Sequence, residues 1–195
     1  PGIARNKKCI SLNLRGPEGQ GILRNLVAQA DVLVENFKPG VFEKWGLGYE
    51  RLRELNDGIV FTRVSGYGQT GPYKNKPGFA AVAEAFGGLR NLVGFPDRPP
   101  CRVGISLGDS LAGMFAALGT LMALYNRDVN GGKGQVVDMA LYEAVFALLE
   151  STLTEYRKTG YERKRTGTLL PGFAPSNLYP CQHGQWIVIA ANTDG

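Results

Sequence analysis

The stretch Asp31-Val32-Leu33-Val34-Glu35 is the first of two short apolar runs that decide the fold of this chain. The second run is Ile59-Val60-Phe61-Thr62-Arg63-Val64, and a helical pattern over residues 49–55 lies between them. Short apolar runs with turn residues at their ends are typical of buried strands. Two strands joined through a helix form a βαβ unit, in which the strands are parallel. The sequence therefore predicts an α/β fold: an open parallel sheet with flanking helices, Rossmann-like in architecture.

Polar and aromatic residues follow both predicted strands directly, as Asn36-Phe37 and as Ser65-Gly66-Tyr67. In open α/β sheets, ligands bind at the carboxyl ends of the strands. Because the two strands are parallel, we expect these residues to lie on the same edge of the sheet. A hydrogen-bonding group beside an aromatic ring suits a bound purine, but the same residues also suit ordinary turns. The pattern leaves both interpretations open.

One carboxylate stands out further along the chain, because Asp109 follows Gly108 at the start of a long helical pattern. The large apolar residues of this pattern recur at helical spacing: Leu111, Met114, Phe115, Leu118, Leu121, Met122 and Tyr125. The opposite face carries small residues, so we predict a buried helix that neighbouring elements approach closely on both sides. Asp109 then lies where the helix begins, either as an ordinary N-cap or as a carboxylate nucleophile.

Composition and charge restrict the classes of function. The 195 residues are 44% hydrophobic and 20% charged, which is typical of a soluble globular protein, and no apolar run reads as a membrane span. The net charge of +5 is dispersed, which fits a small polyanionic ligand at least as well as nucleic acid, and we predict no nucleic-acid partner. Three distant cysteines and the single His183 form no metal-ligand spacing. We therefore predict no metal, no membrane partner, and a cytoplasmic location, with a mitochondrion or another organelle left open.

Several short motifs occur in a fixed order along almost the whole chain. They are Asn6-Lys7-Lys8 with Gly16-Pro17-Glu18-Gly19, Val34-Glu35-Asn36-Phe37-Lys38-Pro39-Gly40, Gly66-Tyr67-Gly68-Gln69-Thr70-Gly71-Pro72, Gly108-Asp109 and Gly132-Lys133-Gly134-Gln135-Val136-Val137-Asp138. In this order and at these intervals, the chain resembles the class III CoA-transferases of the CaiB/BaiF type. Members of that family are considerably longer, so the resemblance implies a central fragment. Residues 1–160 would form an incomplete CoA-binding and catalytic large domain without its first βα unit. Residues 161–195 would form a linker and the start of a smaller second domain.

The resemblance implies an acyl-CoA:carboxylate CoA-transferase in which Asp109 is the nucleophile and becomes an aspartyl-CoA thioester. N–H groups at the start of its helix would stabilise the oxyanion. Aligned on the family pattern, the adenine and phosphate pocket for CoA would use Leu12, Arg15, Asn36, Phe37, Lys44 and Trp45. Coenzyme A enters as a thioester substrate, and the resemblance implies no metal, nicotinamide or flavin. The implied partners are an acyl-CoA donor, a small carboxylic acid acceptor and, at full length, a second copy in an interlocked homodimer.

Two other functions remain open at this point. A catalytically silent CoA-binding fragment would keep the pocket without the transfer reaction. The racemases of 2-methylacyl-CoA esters, which also resemble this chain, place a His-Asp pair where this sequence has Phe79 and Ala80. Without that base, racemisation has no proton acceptor on one face, so a transferase is favoured over a racemase. Transferases commonly carry an acidic residue where this chain has Ala80.

Overall fold

A computed structural model describes residues 4–191 of the chain, and it shows an α/β protein. The helices are α1 (Pro17–Val27), α2 (Val41–Lys44), α3 (Tyr49–Leu52), α4 (Ala80–Phe86), α5 (Leu89–Leu92), α6 (Leu107–Asn130), α7 (Leu141–Phe146) and α8 (Thr152–Thr159). The strands are β1 (Val32–Glu35), β2 (Val60–Ser65), β3 (Val136–Ala140), β4 (Ser176–Pro180) and β5 (Trp186–Ala190). The chain forms two compact units: the residues up to Pro77 with Ala112–Ala140, and Gly78–Leu111 with the residues from Leu141 onwards.

The first unit contains a parallel sheet in the order β1-β2-β3. Val32 pairs with Val60, and Phe61 on the other side of the same strand pairs with Val136. The central strand β2 is buried along almost its whole length, as expected for a parallel strand with neighbours on both sides. The predicted βαβ unit and its parallel sheet are confirmed.

The core of this unit lies where helices pack against the sheet. Six buried apolar side chains form it: Val27, Phe42, Leu47, Leu52, Ile59 and Phe61. The amide of Asn56 ties the end of α1 to this core by donating to the carbonyl oxygens of Val27 and Ala30 at 2.9 and 2.8 Å. The hydroxyl of Tyr49 donates to the carbonyl of Gly134 at 2.9 Å. These long-range hydrogen bonds hold the short helices in place, which local helix propensity alone does not achieve.

The long helix α6 corrects the prediction of a helix buried on both sides. Its small residues pack inward: Ala116 and Ala123 are buried, and the Thr120 hydroxyl lies 2.6 Å from that of Thr62 on β2. Of its large apolar side chains, Leu111 is buried and Phe115 is half-buried, whereas six others are each more than half exposed: Met114, Leu118, Leu121, Met122, Tyr125 and Val129. Small side chains allow the closer approach, because a Cβ atom on Gly119 would lie 2.9 Å from Val137 Cγ1.

The same helix also corrects the prediction that no apolar run reaches the length of a membrane span. By length and composition, α6 is the one helix within residues 4–191 that could cross a membrane, with a mean hydropathy of 1.5 over 18 residues. The core helix of a soluble protein meets the same criterion, but here only 28% of that window is buried. A contiguous apolar face of this kind marks an interaction surface.

The second unit consists of α4, α5, α7 and α8 with an antiparallel hairpin of β4 and β5, in which Ser176 pairs with Ala190. The sequence suggests one continuous helix after β3, but the structure breaks it between Phe146 and Thr152. Glu150 adopts a left-handed conformation with φ of 52°, which a right-handed helix cannot continue through. Each unit is built from two separate segments of the chain. The expected division of the longer protein into domains at residues 160 and 161 stays a prediction.

Candidate active site

Asp109 lies in the first turn of α6, which begins at Leu107. Its side chain is exposed and, within the described residues, forms no hydrogen bond or ion pair. The N-cap interpretation is therefore wrong, because the helix starts two residues earlier and Asp109 caps nothing. The carboxylate is therefore accessible to solvent in the first turn of the helix, beside its positive end.

A buried glutamate takes over the capping role. The side chain of Glu84 on α4 is fully buried, and its Oε1 accepts a hydrogen bond from the backbone N–H of Gly108 at 3.3 Å. Its other oxygen lies 3.1 Å from Nε of Arg90. Both carboxylate oxygens thus have partners, as a buried charge requires. Glu84 therefore holds the first turn of α6 at Gly108, the residue before Asp109.

The start of α4 packs against this same turn. A Cβ atom on Gly108 would lie 3.3–3.4 Å from atoms of Ala80, so the contact is already close. Ala80 stands where transferases of the family commonly carry an acid, and Glu84 lies one helical turn further on, on the same face of α4. Sequence reasoning missed Glu84. The signal that could have identified it is its position four residues after Ala80, on the same helix face. The local sequence, however, does not show which carboxylate contacts α6.

In the first unit, two of the predicted CoA residues form an aromatic cluster after β1. The rings of Phe37 and Trp45 lie edge to face with centroids 5.4 Å apart, and Phe42 packs against both. Asn36 precedes Phe37 and Lys44 precedes Trp45, so the structure brings four of the six predicted residues together. Phe37, Asn36 and Lys44 are exposed, whereas Trp45 is half-buried. The cluster presents an aromatic surface edged by an amide and an ammonium group.

The remaining two predicted CoA residues lie before α1. Leu12 is half-buried and Arg15 is exposed. Neither forms a hydrogen bond or ion pair with the aromatic cluster within residues 4–191; the backbone N–H of Arg15 donates to Asn13 at 3.2 Å. The structure therefore does not itself join them to the other four. The guanidinium of Arg15 is exposed and available to bind a phosphate, which is the role that the resemblance implies for it.

A buried ion-pair network supports the aromatic cluster from the sheet side. Arg63 Nε lies 2.7 Å from Glu35 Oε1, and its Nη1 lies 2.6 Å from Glu43 Oε1. Burial lowers the pKa of Arg63, but its bonds to both glutamates outweigh that and raise it. Burial likewise raises the pKa of Glu43, and hydrogen bonds from Arg63 and the backbone lower it by more. Both shifts favour the charged forms of Arg63 and Glu43.

The carboxyl end of β2 carries buried polar atoms without partners. Within the described residues, Ser65 Oγ and Gln69 Nε2 are buried and form no hydrogen bond. The backbone N–H of Gln69 donates to Asp138 Oδ2 at 2.8 Å, which holds this loop against β3. Buried polar groups nearly always have hydrogen-bond partners. A ligand or water at this edge would supply them, in agreement with the general position of ligand sites in such sheets.

Potential metal ligands are not clustered in the described residues. Between residues 4 and 191 no group of three or more His, Cys, Asp or Glu side chains could hold a metal ion. The three cysteines are free and exposed: Cys9, Cys101 and Cys181. His183 is exposed in a short 3-10 helix, Gln182–Gly184. The candidate functional groups are therefore the carboxylate of Asp109 and the cationic side chains of Arg15 and Lys44.

Comparison with known proteins identifies the family of this chain. The model of CoA-transferase family III matches residues 1–195. The chain belongs to the CoA-transferase family III. This agrees with the order of motifs along the sequence.

Individual relatives agree with the family match. The chain is 57% identical over 194 residues to succinyl-CoA–D-citramalate CoA-transferase of Chloroflexus aurantiacus, covering 100% of this chain and 48% of that protein. It is 43% identical to the alpha subunit of succinyl-CoA–L-malate CoA-transferase of the same species, covering 98% and 45%. The crystal structure of a CAIB/BAIF family protein from Brucella suis has a TM-score of 0.88 and 35% identity, covering 95% and 49%. The chain spans about half the length of the curated relatives it matches.

Proposed function

We propose that the protein is an acyl-CoA:carboxylate CoA-transferase that works through an aspartyl-CoA thioester on Asp109. The observation that carries the proposal is the exposed, unpaired carboxylate of Asp109 in the first turn of α6, in a chain that matches the family along its whole length. A carboxylate with no competing partner keeps its lone pairs available for attack.

The reaction proceeds by two exchanges at this carboxylate. An oxygen of Asp109 attacks the thioester carbon of the donor, the C–S bond breaks, and CoA leaves as a thiolate with the bonding pair. The thiolate then attacks the carbonyl carbon of Asp109 in the mixed anhydride, which releases the donor acid as a carboxylate. The acceptor carboxylate reverses both steps and leaves as a new thioester. No oxidant or net proton is required, which is ordinary covalent catalysis.

Backbone groups near Asp109 are positioned to stabilise the oxyanions of these steps. The N–H of Gly108 is committed to Glu84, and that of Ser110 donates to the carbonyl of Ser106. The N–H groups of Leu107 and Asp109 have no acceptor within the described residues. Unpaired N–H groups at a helix start favour negative charge, which makes these two the donors for the oxyanion.

The substrates are proposed from the relatives. Several of them are named as succinyl-CoA transferases acting on citramalate or malate, so we propose a dicarboxylic donor or acceptor here. CoA would lie against Phe37 and Trp45, with Asn36 and Leu12 beside the adenine and with Arg15 and Lys44 on the phosphates. We further propose a homodimer at full length, with the exposed face of α6 covered in the assembly.

The test is a search for the covalent intermediate. Purified protein is incubated with succinyl-CoA, and intact and peptide mass spectrometry are used to find a CoA adduct on Asp109. The adduct is expected in the unaltered protein and in Asp97→Asn, an exposed carboxylate of the same unit, and it is expected to be absent in Asp109→Asn. Folded protein that binds CoA but forms no adduct would instead support a catalytically silent CoA-binding protein.

A further inference from the structure

We propose that Arg90 binds the distal carboxylate of a dicarboxylic acyl group and so selects dicarboxylic over monocarboxylic substrates. The inference rests on the proposed function, because it assigns a partner to the acyl group that reacts at Asp109. It starts from the ion pair between Arg90 and Glu84, which links α5 to the first turn of α6.

Only one edge of the Arg90 guanidinium is used within the described residues. Its Nε lies 3.1 Å from Glu84 Oε2, and its two terminal nitrogens, Nη1 and Nη2, have no hydrogen-bond partner there. The side chain is nevertheless largely buried, with 25% of its surface exposed. A guanidinium presents its N–H groups as a fork that matches the two oxygens of a carboxylate. The open edge can therefore take one further carboxylate.

The charge of Glu84 does not cancel that of Arg90. The second oxygen of Glu84 accepts the N–H of Gly108 at 3.3 Å, at the positive end of α6. One negative carboxylate is thus shared between a full positive charge and the partial positive charge of a helix start. The site keeps an attraction for a second anion, and the low dielectric around a largely buried arginine strengthens it.

The same contacts place Arg90 close to the reacting group. A single carboxylate, that of Glu84, separates the guanidinium from Gly108, the residue before Asp109. The turn between α4 and α5 makes this possible: Gly88, with φ of 93°, is the N-cap residue before α5, and Arg90 reaches back to a residue six positions earlier. A short diacid bonded at Asp109 through one carboxyl group can then present its other carboxyl group to Arg90.

The experiment compares two donors with the same number of acyl carbons, succinyl-CoA and butanoyl-CoA, with acetate as the common acceptor. The full-length protein is expected to prefer succinyl-CoA in kcat/KM. Arg90→Met should lower the ratio of the two values on the order of 10- to 100-fold, the loss typical of a hydrogen bond to a charged group. Arg90→Lys should lower it by less, because an ammonium group keeps the charge without the fork. Arg98→Met, at an exposed arginine of the same unit, should leave the ratio unchanged.

Equilibrium binding separates this proposal from the proposed function. Binding of succinyl-CoA and butanoyl-CoA is measured in Asp109→Asn protein, with and without Arg90→Met. If the unaltered protein transfers CoA from neither donor, the proposed function fails, and the binding ratio still tests Arg90. A binding ratio unchanged by Arg90→Met, or an equal loss of kcat/KM with both donors, overturns the assignment. Because Arg90→Met alone leaves Glu84 buried and unpaired, the Glu84→Gln/Arg90→Met double variant replaces it if it does not fold.

Discussion

Glu35 and Arg63 are register partners in the parallel pairing of β1 with β2, and their side chains form an ion pair that is only 1% and 8% exposed. The second oxygen of Glu35 accepts the backbone N–H of Phe37 at 2.6 Å. Arg63 also binds Glu43, the residue before Lys44. One polar network, rooted in the sheet, therefore contacts two of the three segments that we propose for CoA binding, at Phe37 and at Glu43.

Removing Arg63 is expected to destabilise the first unit strongly. Arg63→Met leaves the carboxylate of Glu35 buried without its cation, a change that costs about 3–5 kcal/mol in the free energy of unfolding. The double variant Glu35→Gln/Arg63→Met removes both charges and should recover a large part of that loss. Urea denaturation followed by tryptophan fluorescence measures both. A single variant as stable as the unaltered protein contradicts the prediction.

The same network predicts an acid-dependent loss of stability. The pKa of Glu43 is lower in the folded protein than its ordinary value, because the bonds from Arg63 and the backbone outweigh the effect of burial. Its contribution is therefore complete above the unfolded pKa, about 4.3, and is lost as pH falls through the lower folded value. Glu43→Gln should flatten this part of the stability profile, by less than about 1 kcal/mol because the group is half exposed. Glu54→Gln, in an exposed surface pair, should leave the profile unchanged.

Binding of CoA tests the proposed pocket. Lys44→Met and Arg15→Met should each weaken CoA binding on the order of tenfold and reduce its salt dependence, because each removes a cation from the phosphates. Phe37→Ala should weaken binding without changing the salt dependence, since it removes ring contact and no charge. Isothermal titration at two salt concentrations gives both quantities. Arg51→Met, at an exposed arginine of α3, is the matched control, and an equal effect there would contradict the assignment.

The sequence predicts the elements of this fold better than their contacts. The strands of the βαβ unit and the helix between them follow from local patterns, because apolar spacing is set within each element. The face of α6 that is buried does not follow from the sequence. Its sequence shows a large-residue face and a small-residue face, but only the close approach of Gly119 to Val137 shows which face packs. The break after Phe146 depends on one left-handed residue, Glu150, that has no strong turn signal.

The candidate site likewise contains residues that the sequence marks and residues that only the structure reveals. Asp109 and the segment of Asn36 and Phe37 are marked by motifs along the chain, so they are predicted from the sequence and stay predictions. The ion pair of Glu35 with Arg63 and the contact of Glu84 with Gly108 join residues 28 and 24 positions apart. Such partners are chosen by the packing of different elements, and no local period encodes them. The supporting groups of the site therefore appear only in three dimensions.

The exposed face of α6 is expected to drive association of the 195-residue chain when it is studied alone. Leu118→Lys and Met122→Lys place charges on a contiguous apolar face and should reduce both self-association and binding of a hydrophobic dye. Gln29→Lys adds the same charge at an exposed position outside α6 and should change neither. Sedimentation velocity over a range of concentrations measures the association. A chain that is monomeric at all concentrations, with no dye binding, contradicts the prediction.

Gly134 tests how closely the loop before β3 approaches the sheet. A Cβ atom there would overlap the backbone carbonyl of Ile59, and that carbonyl cannot rotate away as a side chain could. The same loop accepts the hydroxyl hydrogen bond of Tyr49, so a shift would break that contact as well. Gly134→Ala should therefore lower the free energy of unfolding by about 1–3 kcal/mol or more. Gly21→Ala, in α1 with no atom near its Cβ position, should instead raise it by about 0.5–1 kcal/mol. Equal midpoints of thermal unfolding for the two variants would contradict the close approach.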